Sequence, residues 1–345
     1  MIPCINSDPQ TFSSAQEFLA YCQEFNKTYI VPGACSEAWI ALHQKQQAEL
    51  RIEKLDVRLF YNTYFQDLLE MLLVSVGNES LKSAAAEYVA VGFLESDKLQ
   101  PEIHRSGNGR FYSILIPSAF MSLLNRYLKL VASALNPDDV IYCNGRDVSQ
   151  LGKSDYIKMS TSMLVHFGEY QEVKGAEIKL EIGSRALAFV DRCHHYIISF
   201  ILGHELAHFI NDDLSESPHP RKFNLVAESG LAGINRFHTE EFKADIIGFE
   251  LLLRMVHAES SQATVVNTLR WSIVLLFNMV REIQDLPTEL YPMSSTRICA
   301  IIDCFLGEPA ANLMFASFND LSLIPIYEKK YGGITIAEVL TDLAK

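Results

Sequence analysis

Residues 194 to 213 read HHYIISFILGHELAHFINDD. This stretch sets two histidines and a glutamate inside a run of Ile, Leu and Phe. A chain that buries such a run as a helix must also satisfy His204, Glu205 and His208 within it. On an α-helix, residues four apart differ by about 40° around the axis and lie one turn apart on one face. His204 and His208 can therefore aim both imidazoles at one point. Glu205 sits about 100° round from His204, where it can reach a water and not the same ligand position. The spacing suits a hydrolytic zinc site: nitrogens that hold the ion, an open coordination position, and a carboxylate beside the water. The other reading is a pair of satisfied core histidines. A solvated face is disfavoured, because Ile197, Phe200, Ile201 and Asn211 share the stripe and no Lys or Glu does.

Two histidines leave a zinc site one protein ligand short. The stretch HTEEFKADIIGFELLLRMV, 238 to 256, offers a carboxylate on a following helix. Glu241 and Asp245 are again four apart. Glu241 is placed toward the site, with Ala244 small enough for close helix packing. Asp245, one turn on, can accept the free ring N–H of a ligand histidine and so fix its tautomer. Phe242, Ile246, Phe249 and Leu253 surround the acids with apolar residues, as on a covered helix. Glu240 is expected to face solvent, and His238 is a rival third ligand.

These residues resemble the gluzincin zinc metallopeptidases, in particular the branch of CAAX-processing and stress-linked membrane proteases. There H-E-x-[AG]-H is followed by E-x-x-A-D; here the matching residues are His204, Glu205, Ala207 and His208, then Glu241, Ala244 and Asp245. The resemblance implies Zn2+ held by His204, His208 and Glu241, Glu205 as general base, and Asp245 behind the ligands. That branch also carries H-P-x-x-x-x-R. This chain has YPMSSTR, with Tyr291, Pro292 and Arg297 at that spacing and Tyr in place of His. Tyr291 either donates to an oxyanion or is a packed ring at a helix start. Arg297 either pairs with a site carboxylate or caps a helix. The match covers about 190 to 300. The branch's membrane spans have no counterpart in this sequence. More loosely, a soluble zincin of this size resembles bacterial proteases that cleave one host protein during phage attack or stress. The expected activity is thus zinc-dependent endopeptidase hydrolysis of a protein or peptide substrate. The alternative is a non-catalytic zincin-like scaffold or binding module.

The remaining sequence bounds the setting. A net charge of −13 disfavours a nucleic-acid partner. No run approaches 18 apolar residues, so no membrane span is expected. The start MIPCINSDPQ lacks a basic region followed by an apolar one. Seven scattered cysteines without C-x-x-C suit reduced thiols. Together these point to a cytoplasmic protein.

The expected fold is α+β and predominantly helical: an N-terminal helical region over 1–105, then a zincin-like metallopeptidase domain over 106–345 with a small mixed sheet and an active-site helix. Ser14 with Glu17 forms a capping-box pattern, and Ser36 precedes another helical stretch. VRLFYNTYFQDLLEMLLVSV carries apolar residues at helical spacing. RFYSILIP (110 to 117), DVIYC and AEIKLEI (176 to 182) read as strands. Helices are expected over 186–211, 239–257, 262–284, 294–306 and 335–344. Gluzincins hold substrate as an added strand on a sheet edge, and RFYSILI or AEIKLEI could supply that edge.

Overall fold

A computed structural model describes residues 12–28, 56–170, 179–212, 221–222, 236–259, 263–284, 293–307 and 309–313, with 326 and 330. The expected helix over 335–344 and the stretch after Ser36 lie outside them. The fold is predominantly helical with a small mixed sheet. The chain divides into two compact units, each assembled from separate segments. Met1–Leu68, Glu87–His195 and Ser217–Phe223 form one; Leu69–Ala86, Tyr196–Glu216 and Asn224–Lys345 form the other. Residue 105 falls inside the first unit, and a boundary falls within one long helix, between His195 and Tyr196.

In the first unit, α1 (Ala15–Asn26) begins at Ser14, whose Oγ accepts the Glu17 N–H. The reciprocal half of the expected box is displaced by one residue: Glu17 Oε2 accepts from the backbone N–H and the hydroxyl of Ser13. The helix α2 (Val57–Val74) follows, of which Val57–Leu68 belong to this unit; α3 (Glu79–Tyr88) belongs to the second unit up to Ala86, and the first unit resumes with β1 (Val89–Leu94), β2 (Glu102–Arg105) and β3 (Tyr112–Pro117). β1 and β2 correct the expectation of a helical region to residue 105. All six residues of β1 are buried, so the strand shows no polar alternation to mark it. β3 runs parallel to β1 and antiparallel to β2, and β2 pairs with the two-residue β6 (Arg221–Lys222). β3 is therefore internal and offers no edge to a substrate. The outer edge of β1 is closed at Phe93, whose N–H donates to Asn62 Oδ1 at 2.7 Å and whose carbonyl accepts from Gln23 Nε2 at 2.7 Å. Ala15, Phe18, Leu19 and Cys22 of α1 pack against Ala90, Leu94 and Leu115 of the sheet.

The helix α4 (Ser118–Leu135), buried nearly throughout, packs on α5 (Lys153–Tyr170). Between them lies β4 (Val140–Cys143), antiparallel to β5 (Leu180–Ile182). Asp139 then starts α6 (Ser184–Ile210), its Oδ2 accepting the Ala186 N–H at 2.6 Å and its carbonyl the Gly183 N–H at 2.6 Å. In the second unit, the last part of α6 is joined by α7 (Arg236–Glu259), α8 (Ala263–Gln284) and α9 (Ser294–Leu306). α9 packs on α7 and α8, with Phe249 and Phe305 edge to face at 4.9 Å. Among the described residues no helix is long and apolar enough to cross a membrane.

Candidate metal centre

The candidate ligands come from α6 and α7, which cross backbone to backbone. A Cβ built on Gly203 would stand 3.0 Å from the Gly248 carbonyl oxygen, and one on Gly248 would stand 2.6 Å from the His204 nitrogen. Two facing glycines remove the side chains that would hold the helices apart. Ala244, one turn before Gly248, is fully buried, as its small size anticipated. The glycine pair escaped sequence reasoning: H-E-x-x-H draws the eye to the ligands, and an isolated Gly in a helix pattern is ambiguous by itself. The signal that could have found it is the identical context, one Gly immediately before His204 and one three residues after Asp245.

At this crossing His204 Nε2 stands 3.2 Å from His208 Nε2 and 3.4 Å from Glu241 Oε2, and His208 Nε2 stands 3.5 Å from Glu241 Oε1. A tetrahedral ion bonded at about 2.0–2.2 Å places its ligand atoms about 3.3–3.6 Å apart. The two imidazole nitrogens, and the approach of each to a different Glu241 oxygen, are near that spacing; one ligand atom from each residue lies within 4.8 Å of the others, and these three residues could hold a metal ion. Both Glu205 oxygens are buried without a hydrogen-bond partner, and the Glu241 oxygens have only long contacts to the two imidazoles. A buried carboxylate left in that state is costly unless a cation or a proton satisfies it.

Behind the triangle, His204 Nδ1 donates to Asp245 Oδ1 at 3.0 Å, which turns Nε2 toward the cluster. Arg297 Nε and Nη2 donate to the two Asp245 oxygens, each at 2.7 Å. Arg297 Nη2 also lies 3.7 Å from Glu241 Oε2. Of the two sequence readings of Arg297, the geometry is that of pairing with a site carboxylate. His204, Glu205, His208, Glu241, Asp245 and Arg297 are all at most 2% exposed. Tyr291 lies outside the described residues, as do its neighbour Pro292 and the side chain of His238.

The electrostatics follow from burial and charge together. Burial pushes the His204 imidazolium down, but hydrogen bonds and charge from Asp245 and Glu241 outweigh it and raise its pKa to about 9. Burial raises the Glu205 carboxyl to about 7, opposed by the nearby His204 and His208 and reinforced by Glu241. Burial also acts to raise Glu241 and Asp245. For Glu241 the two histidines overcome it, and for Asp245 Arg297 and His204 do, so both carboxyls lie below their ordinary range. Three buried carboxylates face one guanidinium and the His204 imidazolium; a divalent cation that displaces the His204 proton would balance the two negative charges then left when all three carboxyls are ionised.

One polar expectation is corrected. Glu240 is only 8% exposed and not solvent-facing, so α7 is covered over more than the face carrying Glu241. Cys193 is buried, whereas Cys299 is half-buried and Cys304 exposed, because α9 turns its cysteines away from its Ile298, Ile301 and Ile302 face. His194 is buried at 2% exposure, and His195 Nδ1 lies 3.2 Å from the Tyr64 hydroxyl; both lie in the first unit, and the site lies in the second.

No family model matches this chain, and no curated protein and no solved structure matches it.

Proposed function

We propose that this chain is a zinc-dependent endopeptidase of gluzincin type with a zincin-like catalytic portion, acting on a protein substrate. The observation that carries the reading is Glu205: a buried carboxylate with no hydrogen-bond partner, beside three convergent ligand atoms. A site that only held a fold together would have no use for it.

In this reading His204, His208 and Glu241 hold zinc through one nitrogen or oxygen each. When bound, zinc supplies Lewis-acid polarisation of the scissile carbonyl and acidifies water. Glu205 accepts the proton of the attacking water and delivers it to the leaving amine. Asp245 holds His204 in the tautomer that presents Nε2. Tyr291 is the proposed donor to the developing oxyanion. The substrate would be one dedicated protein, in line with the resemblance to stress and phage-defence proteases, cleaved in the cytoplasm.

A second reading draws on the burial of all six side chains. A closed site is what a structural metal centre needs, and the chain would then be a zincin-like scaffold. Glu205→Gln separates the two. Elemental analysis should find one zinc per chain in wild type and in the variant. A broad proteolysis screen should find hydrolysis by wild type that Glu205→Gln lacks. Zinc without any difference in hydrolysis between the two proteins favours the scaffold, and no zinc uptake at micromolar zinc removes both.

A further inference from the structure

Beneath the ligand triangle lies a layer that the ligand pattern does not include. The Arg297 guanidinium sits over the ring of Phe277 on α8, 5.3 Å from its centroid. Phe277 in turn meets Phe200 of α6 at 5.9 Å in an edge-to-face contact. An aromatic face attracts a guanidinium and fixes its plane, more strongly where water is excluded. Both residues are at most 2% exposed. With its plane fixed, Arg297 uses Nε and Nη2 on Asp245 in a fork–fork pair, and Nη2 also faces Glu241. One cation carried by α9 thus clamps Asp245 of α7, the acceptor for His204, and lies near Glu241, a candidate ligand.

We propose that Phe277 and Arg297 form a positioning pair for the metal: the ring orients the guanidinium, and the guanidinium holds Asp245 where His204 and the ion need it. This rests on the metal-site reading above. A packing role for Arg297 would make its shape matter and its charge irrelevant. A positioning role makes its charge matter through Asp245. Removing Arg297 alone strands a buried carboxylate, whereas removing the Asp245 charge with it does not.

The test uses the full chain and two probes, zinc in competition with an indicator dye and cobalt(II) read by its visible absorption bands. Arg297→Met keeps the length of the side chain and should weaken zinc binding 10–100-fold, the range for residues that orient ligands, and should shift the cobalt bands. Arg297→Lys should lose less. In Arg297→Met combined with Asp245→Asn, affinity should be no lower than in Asp245→Asn alone. Phe277→Leu should weaken zinc binding in wild type and have no further effect once Arg297 is Met. Wild-type affinity with unshifted cobalt bands in Arg297→Met overturns the proposal, as do losses that multiply in the double variants. If Arg297→Met fails to fold by circular dichroism, Arg297→Lys and the Asp245→Asn double variant decide it by the same criteria. If wild type takes up neither zinc nor cobalt, the metal reading itself fails, a result distinct from metal uptake that ignores Arg297.

Discussion

Gly203 and Gly248 meet backbone to backbone, and this contact places Glu241 and Asp245 opposite His204 and His208. A methyl group on Gly248 would meet the His204 nitrogen and Cα at 2.6 and 2.9 Å, both backbone atoms that cannot swing away. Gly248→Ala should therefore force α6 and α7 apart. Overpacking of this kind costs about 1–3 kcal/mol, and the added separation should weaken zinc binding at least tenfold. Urea unfolding and dye competition measure the two effects. A variant with unchanged zinc affinity would show that the crossing does not set the ligand geometry.

The ligand assignment separates adjacent glutamates. Glu241 oxygens stand 3.4 and 3.5 Å from the histidine nitrogens, and Glu240 is not among the convergent ligand atoms. Glu241→Ala and His208→Ala should abolish zinc binding, while Glu240→Ala should retain it and, being buried, lower stability instead. Elemental analysis after dialysis distinguishes them; a zinc-free Glu240→Ala beside a zinc-loaded Glu241→Ala would reverse the assignment.

Zinc uptake should release protons. A ligand histidine binds in its deprotonated form, and His204 in the metal-free site holds its proton up to about 9. Affinity should therefore fall about tenfold for each pH unit below that value. Calorimetric titration near pH 7 in buffers of different ionisation heat should count about one proton from His204. A proton count of zero would contradict the raised pKa.

Acid should weaken the fold through His194. Burial, aided by the charge of His195, lowers its pKa from 6.5 to about 3. The folded form thus disfavours the protonated ring. Its neutral state is fully supported above about pH 6.5. As pH falls toward 3 the unfolded chain takes up the proton first, and stability is lost. Between pH 7.5 and 5.5 the loss from this residue should be on the order of 1 kcal/mol. Urea titrations at the two values, with His194→Phe as the control, test it. An equal pH dependence in the control would clear His194.

The closed edge of β1 gives a stability prediction independent of any metal. Asn62 Oδ1 accepts from both the Phe93 N–H and Gln23 Nε2. Asn62→Ala strands those donors and should cost about 1–3 kcal/mol, measured by urea unfolding. A cost below about 0.5 kcal/mol would show that water replaces the amide.

The helices around the site were legible because their apolar spacing is regular and their ends are marked. The helices expected over 262–284 and 294–306 run over Ala263–Gln284 and Ser294–Leu306. The convergence of His204, His208, Glu241 and Asp245 was legible because i, i+4 spacing places side chains on one helix face whatever lies around them. β1 was not, since Val89–Leu94 is buried on both faces and lacks the alternation that marks a half-exposed strand. Phe277 was not either. An aromatic residue on an apolar helix looks like core, and nothing local shows that a guanidinium 20 positions later rests on it. Pairings across long stretches of chain depend on how helices cross, and Gly203 and Gly248 set that crossing without a side chain to announce it.

The shielding of the site has a consequence for kinetics. None of the six side chains is more than 2% exposed. A metal seated there would be inert as well as tightly held: its exchange would wait for the helices to breathe, and raising the chelator concentration would not hasten its loss beyond that rate. Affinity measured over minutes and affinity measured over days would then disagree, and only the slow value would describe the equilibrium.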